Sequence, residues 1–285
     1  MKIIFVAVFT EKSTNTSQSY SLKKCGVDVI EFNYRDIARS IGNKHRDDLL
    51  IETCITEKVD AVLFSKCNEI DYRVVDECNK YCKTILWYMD PLNGNFNSIL
   101  INKIKRCTYI FCALWDSYLK AKEICDSNVY FLHEGYDQTK NYPIDIEQAN
   151  AVTFIGELRG HRHDYYNNHK FNIISNAYAE EHSKAVSSSK INLNFTHGGT
   201  SDRTYKVLAS KGFLLTEPWP MMEKDFTIGK DLDIFKNIEE FKEKIKYYLN
   251  NEKLRLTIAN NGFKTVQKFN RINWAKKIID IVYEK

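Results

Sequence analysis

Residues 191–217 read INLNFTHGGTSDRTYKVLASKGFLLTE, and this stretch decides how the chain folds. Ile191 to Phe195 is a short apolar run, and a loop carrying Gly198 and Gly199 follows it. A helical segment spans Arg203 to Ser210, and Gly212 leads into a second apolar run, Phe213 to Thr216. Strand, glycine loop, helix and strand in direct succession are the repeating parts of a parallel sheet with helices on its faces.

The same alternation runs outward in both directions. Upstream lie KIIFVAVF (Lys2–Phe9), DVIEFNY, VDAVLFS, KTILWYM, TYIFCAL and NVYFL, all rich in Val, Ile, Tyr and Phe. Helix-like segments separate them, for instance Asp47 to Lys58, Asp71 to Tyr81 and Ser117 to Cys125. Near-continuous apolar strands imply a sheet buried on both sides. A polar stretch, HEGYDQTKNYPIDIEQANA, then closes a first domain, taken as residues 1–148. From Ala151 a second alternation begins, with strands VTFIG, FNIIS, KINLNF, GFLLT and LDIF, and helices expected at Tyr178–Ser188, Arg203–Ser210 and Ile238–Asn250. Ile238, Phe241, Ile245 and Leu249 form one stripe of the last helix, with Asn237 and Glu240 placed as cap and capping partner. The second domain is taken as 149–270. The tail is helical, at about Glu252–Phe269 and Ile272–Tyr283, and Trp274, Ile278, Ile281 and Val282 share a face that predicts packing of residues 271–285 back on the first domain. The expected fold is therefore α/β, with two Rossmann-like doubly wound domains facing a central cleft at the carboxyl ends of their strands.

The composition narrows the function classes. A formal net charge of +4 on 285 residues permits an anionic ligand without demanding a polyanion, and no run of five or six like charges is present. All eight cysteines precede residue 126, none at zinc-site spacing, and several lie within apolar runs. Buried reduced thiols and a cytoplasmic location are the expectation, with no membrane span and no signal peptide. EKSTNTSQSYS, following the first strand, is read as a mobile acceptor loop or a solvated turn into a helix.

The segment from Ile191 to the C-terminus resembles the glycosyltransferase-1-like family that includes the CgeB-type spore-maturation proteins. Arg203, Tyr205, Lys206, Leu208, Ala209, Gly212, Phe213, Leu214, Leu215, Thr216 and Glu217 carry the resemblance, and MMEKDFTIGKDLDIFKNIEEFKEKI continues it. VTFIGELRGHR, LWYMDP and HEGYD are weaker landmarks of the same kind. The resemblance implies the GT-B fold and a glycosyltransferase. It would move a sugar from a nucleoside-diphosphate sugar, with a UDP-sugar expected, to a hydroxyl. No metal and no further cofactor are expected, and Asp231-x-Asp233 is read as structural because Asp231 opens its strand.

The residues themselves support a phosphate site. Glycines let backbone N–H groups approach a phosphate, and the start of a helix adds partial positive charge. His197, Gly198 and Gly199 form that loop, and Arg203 can hold a diphosphate bidentately. Gly156 and Arg162, after the strand VTFI, complete the candidate donor side together with Tyr205, Lys206 and Glu217. Relatives carry Glu where Lys206 stands, and no Glu-x7-Glu pair exists because Gly198 occupies the earlier position. Lys206 meets a phosphate instead, or marks an altered donor or lost activity, and Glu217 is the nearest substitute carboxylate. Asp90, after TILWYM, is the candidate acceptor contact or base beside Arg203 as catalytic residues, with His133 and Glu134 as acceptor-side candidates. The acceptor stays open among glycan, protein, small molecule and modified nucleic acid. Two other readings remain: a base-modifying nucleic-acid glycosyltransferase, and a catalytically silent sugar-nucleotide or glycan-binding protein.

Overall fold

The computed structural model describes residues 1–92, 98–125, 128–196 and 199–283. Two compact units divide the chain, Met1–Glu134 with Arg271–Lys285 and Gly135–Asn270. This division falls upstream of residue 148 because the polar stretch bonds into the second unit. Tyr136 N donates to Phe269 O, Tyr142 N to Ser183 Oγ and Ile144 N to Ser187 Oγ.

The first unit holds a six-stranded sheet of β1 (Lys2–Ala7), β2 (Asp28–Asn33), β3 (Ala61–Ser65), β4 (Lys83–Tyr88), β5 (Tyr109–Cys112) and β6 (Val129–Phe131). The strand order is β2-β1-β3-β4-β5-β6, and every pairing is parallel. Successive side chains go to opposite faces, so each apolar strand feeds two cores. Ile4, Val6, Val62, Phe64, Leu86 and Ile110 enter one core, whereas Ile3, Phe5, Leu63, Ile85, Trp87 and Phe111 enter the other. Helices α1 (Thr14–Lys24), α2 (Tyr34–Thr56), α3 (Tyr72–Cys78), α4 (Ser98–Arg106) and α5 (Trp115–Ile124) connect the strands.

Two of these helices differ from the sequence reading. Helix α2 starts at Tyr34 rather than near Asp47 and bends at Gly42, whose φ of 83° breaks the helical run. Helix α1 occupies the serine-rich stretch, capped by Ser13, and buries Ser17, Gln18, Ser19, Ser21 and Leu22. Small hydroxyl residues let it lie close to the C-terminal helix, Arg271–Tyr283, which packs in the core of the first unit. The Gln18 amide, in the orientation its neighbours require, accepts from Arg271 Nη1 and Trp87 Nε1, each at 3.0 Å, and donates to Asn15 Oδ1. A polar helix is thus buried because its polar groups find partners.

The second unit runs β7 (Asn150–Ile155), α6 (Arg162–Asn168), β8 (Asn172–Ile174), α7 (Ala179–Ser187), β9 (Ser189–Asn194), α8 (Asp202–Ala209), β10 (Leu214–Thr216), β11 (Asp233–Ile234), α9 (Ile238–Asn250) and α10 (Glu252–Val266). Its parallel sheet has the order β11-β10-β9-β7-β8. Gly212 permits close packing at its base, since a Cβ there would stand 2.4 Å from Val186 Cγ1. Asn237 caps α9 by accepting from Glu240 N, while Glu240 Oε2 accepts from Lys236 N. Asp231 accepts from Thr227 N and Thr265 Oγ1, and Asp233 from Lys244 Nζ and Tyr248 Oη, so both aspartates hold the fold together.

Among the described residues no helix is long and apolar enough to cross a membrane. All eight cysteines are free thiols, as the apolar runs around them suggest.

In each sheet the chain reverses its direction of travel once. The crevices lie between β1 and β3 in the first unit and between β7 and β9 in the second, at their carboxyl ends, where such sheets bind ligands.

The C-terminal helix is sealed to the first unit by Trp274, buried edge-on against Trp87 at 5.6 Å between ring centroids. Trp274→Ala is expected to cost roughly 3–5 kcal/mol in chemical denaturation. A loss below about 1 kcal/mol would show that the helix contributes little to this core.

Candidate functional site

Arg203 stands in the first turn of α8, and its side chain spans the crevice of the second unit. Nε donates to Ile155 O at the end of β7 (2.6 Å), and Nη1 donates to Asn194 Oδ1 at the end of β9 (3.0 Å). Asn194 is itself fixed, since its Nδ2 donates to Thr216 Oγ1 (3.0 Å) and Thr204 Oγ1 (3.4 Å). Ser201 Oγ adds a third contact, donating to Asn194 Oδ1 at 3.3 Å. The guanidinium lies 4.8 Å from the Phe154 ring centroid. Beside it, Gly156 has φ of 146°, and a Cβ built there would be 2.9 Å from Arg203 Nη2 and 3.1 Å from Phe154 Cζ. Only glycine fits this backbone and leaves the guanidinium in place.

Arg162 opens α6 and joins the same cluster. Its Nη1 donates to Glu157 O (2.9 Å), its guanidinium lies 5.3 Å from the Phe154 centroid, and its Nε is buried with no partner among the described residues. Burial lowers the pKa of Arg203 to about 10, Asp202 opposes the shift and Arg162 adds to it. Burial also lowers Arg162, against Glu217 and with Arg159. Two guanidinium groups packed on one ring, with the charge of Arg162 disfavouring that of Arg203, form a place where an anion is stabilised.

Glu217 follows β10. Its Oε2 accepts from Thr196 N (2.7 Å), and His161 Nε2 meets both carboxylate oxygens at 3.0 and 3.1 Å. The carboxylate is thereby oriented at the carboxyl edge of the sheet. Burial, reinforced by Glu217, pushes the nearby Tyr165 hydroxyl up to about 12.

The remaining donor-side candidates fall in different places. Lys206 pairs with Asp202 at 2.5 Å, one helical turn back. Tyr205 is buried, with its ring 5.4 Å from that of Phe269, and serves the core on the inner face of α8. Gly199 lies in the half-buried loop before α8, and His197 and Gly198 are outside the described residues.

In the first unit Asp90 lies two residues beyond β4, where Oδ1 accepts from Lys66 Nζ at 2.6 Å and the backbone carbonyl accepts from Ser117 Oγ. Glu134 and Asp90 line one cavity of about 380 Å³ at the carboxyl edge of that sheet, together with Ser13, Asn15, Ser65 and Lys66. His133 packs its ring on Phe131, 4.8 Å between centroids.

Sequence reasoning missed His161, Asn194 and Thr216 as site residues, and of the cavity lining it named Asp90 and Glu134 but not Tyr34, Arg35, Ser65, Lys66 or Asn68. Asn192 and Asn194 did carry a signal, because two amides on one face of an otherwise apolar strand ask for buried partners. His161 carried none, since its role depends on Glu217, which is 56 positions away.

Comparison with known folds places the chain in the GT-B type of two Rossmann-like units. Anabaena HepE in complex with UDP-glucose superposes with a TM-score of 0.76 at 8% identity, over 100% of both chains. Sucrose-phosphate synthase from Thermosynechococcus elongatus gives 0.72 at 7% identity, over 99% of this chain and 98% of the other. The lipopolysaccharide outer core galactosyltransferase WaaB in its apo form gives 0.67 at 9% identity, over 100% and 99%. In sequence, residues 145–280 match the family model described as glycosyl transferase-like. Comparison with curated proteins finds no match.

Behind the site, His182 on α7 is buried and its pKa falls to about 3 through burial first and the charge of Lys206 second, with Asp202 opposing and Arg203 adding to the fall. The folded state therefore holds this ring neutral, while the unfolded chain protonates it near 6.5. Its contribution is fully present above that value and is lost as pH falls from about 6.5 towards 3. Between pH 7.5 and pH 5 denaturation midpoints should register a loss of about 2 kcal/mol from this group. His182→Leu should remove that part of the slope, and an unchanged slope would assign the acid sensitivity elsewhere.

Proposed function

We propose that the protein is a glycosyltransferase that moves a sugar from a nucleoside-diphosphate sugar, a UDP-sugar in the first instance, to an acceptor hydroxyl without a metal ion. The observation that carries this reading is the Arg203 clamp across the crevice of the second unit, with Arg162 beside it and, among the described residues, no acidic side chain hydrogen-bonded to either guanidinium. The fold match to HepE, solved with UDP-glucose, and the glycosyl transferase-like match over residues 145–280 support it. The residues from Arg203 to Glu217 further support kinship with the spore-maturation type.

In this reading the bond from the anomeric carbon to the diphosphate oxygen breaks as the bond to the acceptor oxygen forms. Negative charge collects on the departing diphosphate, and Arg203 and Arg162 stabilise it. Positioned guanidiniums supply this stabilisation without proton transfer, which is the basis for expecting activity in the presence of a chelator. Glu217, held by His161 and Thr196 N, orients sugar or ribose hydroxyls where relatives use the Glu replaced by Lys206. Asp90 is the group proposed to take the proton of the acceptor hydroxyl, and Lys66 Nζ, 2.6 Å from its Oδ1, orients the carboxylate. The pairing of Lys206 with Asp202 favours a second reading, a protein that binds a sugar nucleotide without turning it over.

A thermal-shift series with UDP, GDP, ADP, TDP and CMP and their sugar conjugates tests the donor. Ligand at about 100 times its Kd should stabilise by roughly 2.7 kcal/mol. Arg203→Ala is expected to abolish the shift, and Gly156→Ala to weaken binding at least about tenfold by pushing the guanidinium off Ile155 and Asn194. Binding with no turnover in chelator or in magnesium would favour the silent reading, and no shift with any nucleotide would sink both.

A further inference from the structure

The cavity at the crevice of the first unit has a chemical character that names its ligand. Two basic and two acidic side chains line it, Arg35 and Lys66 against Asp90 and Glu134, so it is formally neutral. Both cations already face carboxylates. Lys66 Nζ is 2.6 Å from Asp90 Oδ1, and Arg35 Nε is 3.2 Å from Glu69 Oε1 just outside the lining. A phosphate or sulfate entering here would have to displace Asp90 from Lys66 and would then stand beside an uncompensated acid.

The rest of the wall is made of neutral hydroxyls and amides. Ser13, Thr14 and Asn15 come from the start of α1, Ser65 from the end of β3 and Asn68 from the turn after it. Their arrangement is internally braced, since Ser65 Oγ donates to Asn15 Oδ1 at 2.8 Å and Asn15 Nδ2 to Val8 O at 3.1 Å. Buried Lys103 donates to Cys67 O and Arg46 Nη2 to Glu69 O, which hold the turn that carries Lys66 and Asn68 in left-handed backbone at Lys66 and Cys67 (φ 58° and 53°). Asn68 is exposed, and its amide makes no hydrogen bond among the described residues. Val8, Tyr34 and Met89 add an apolar patch, and the volume of about 380 Å³ lies at the small end of ligand pockets.

We infer that this cavity binds the acceptor of the proposed transfer, and that the acceptor is a neutral saccharide of one or two rings rather than a phosphorylated compound or a nucleic acid. This rests on the transferase reading for the word acceptor alone, because the chemistry of the cavity stands without it. Neutral hydroxyls and amides pair with sugar hydroxyls, the Lys66–Asp90 pair offers a donor and an acceptor side by side, and the apolar patch suits the C–H face of a pyranose.

Saturation-transfer NMR on the full chain tests it. The probes are the methyl glycosides of glucose, galactose, mannose and N-acetylglucosamine, with glucose 6-phosphate and a short single-stranded oligonucleotide alongside. At least one methyl glycoside should bind, at least about tenfold more tightly than glucose 6-phosphate, and Asn68→Leu should weaken it by about tenfold while UDP binding is unchanged. Failure of every glycoside while UDP still binds overturns the inference and leaves the transferase reading standing. Tighter binding of the phosphate or of the oligonucleotide also overturns it. Glycoside binding with no response to any nucleotide keeps the cavity assignment and removes the transferase.

Discussion

The second unit is organised around one charged side chain that ties two strand ends together. At the crevice between β7 and β9 the backbones diverge, and Arg203 bridges them through a main-chain carbonyl and a buried amide. Much else in the unit follows from keeping that guanidinium in place. Gly156 has no Cβ because Arg203 Nη2 and the Phe154 ring occupy the space. Asn194 sits in the middle of an apolar sheet because Thr204 and Thr216 satisfy its amide. Burial works against the charge and lowers its pKa, so a ligand anion placed there would recover part of what folding costs the group.

The two crevices apply the same architecture to opposite electrostatic ends. In the second unit the cations gather beside one another, and Glu217 is directed to His161 rather than to them. In the cavity of the first unit Arg35 and Lys66 each face a carboxylate. Exposed pairs of that kind contribute little to stability, roughly 0–1 kcal/mol, so their effect is on what the cavity accepts. Guanidiniums with no acid hydrogen-bonded to them among the described residues suit a diphosphate, and a cavity whose cations are paired suits a ligand without charge.

Much of the fold could be read along the chain because parallel sheets bury both faces of their strands. That burial writes uninterrupted apolar runs such as IIFVA and AVLFS, whose alternate side chains supply two cores. Helix α8 was legible because it follows a glycine-containing stretch and carries helix-forming residues from Asp202 to Ala209. Helix α1 was not legible. Its hydroxyls and Gln18 read as solvated, and they are buried only because Arg271, Trp87 and Asn15 come to meet them from distant positions. The first half of α2 was missed because Gly42 interrupts its periodicity.

By itself the sequence determined the succession of strands, the two parallel sheets, the capping of α9 and the candidacy of Arg203, Arg162, Glu217 and Asp90. These depend on side-chain periodicity and local backbone preferences, which act over a few residues. Only the tertiary structure decided that Glu217 is held by His161, that Lys206 is paired with Asp202, that Tyr205 belongs to the core, and that Lys66 meets Asp90. Such pairings depend on which strand ends are neighbours and which way a side chain leaves its helix. Those facts are set by the packing of whole elements and leave no trace in the spacing of residues along the chain.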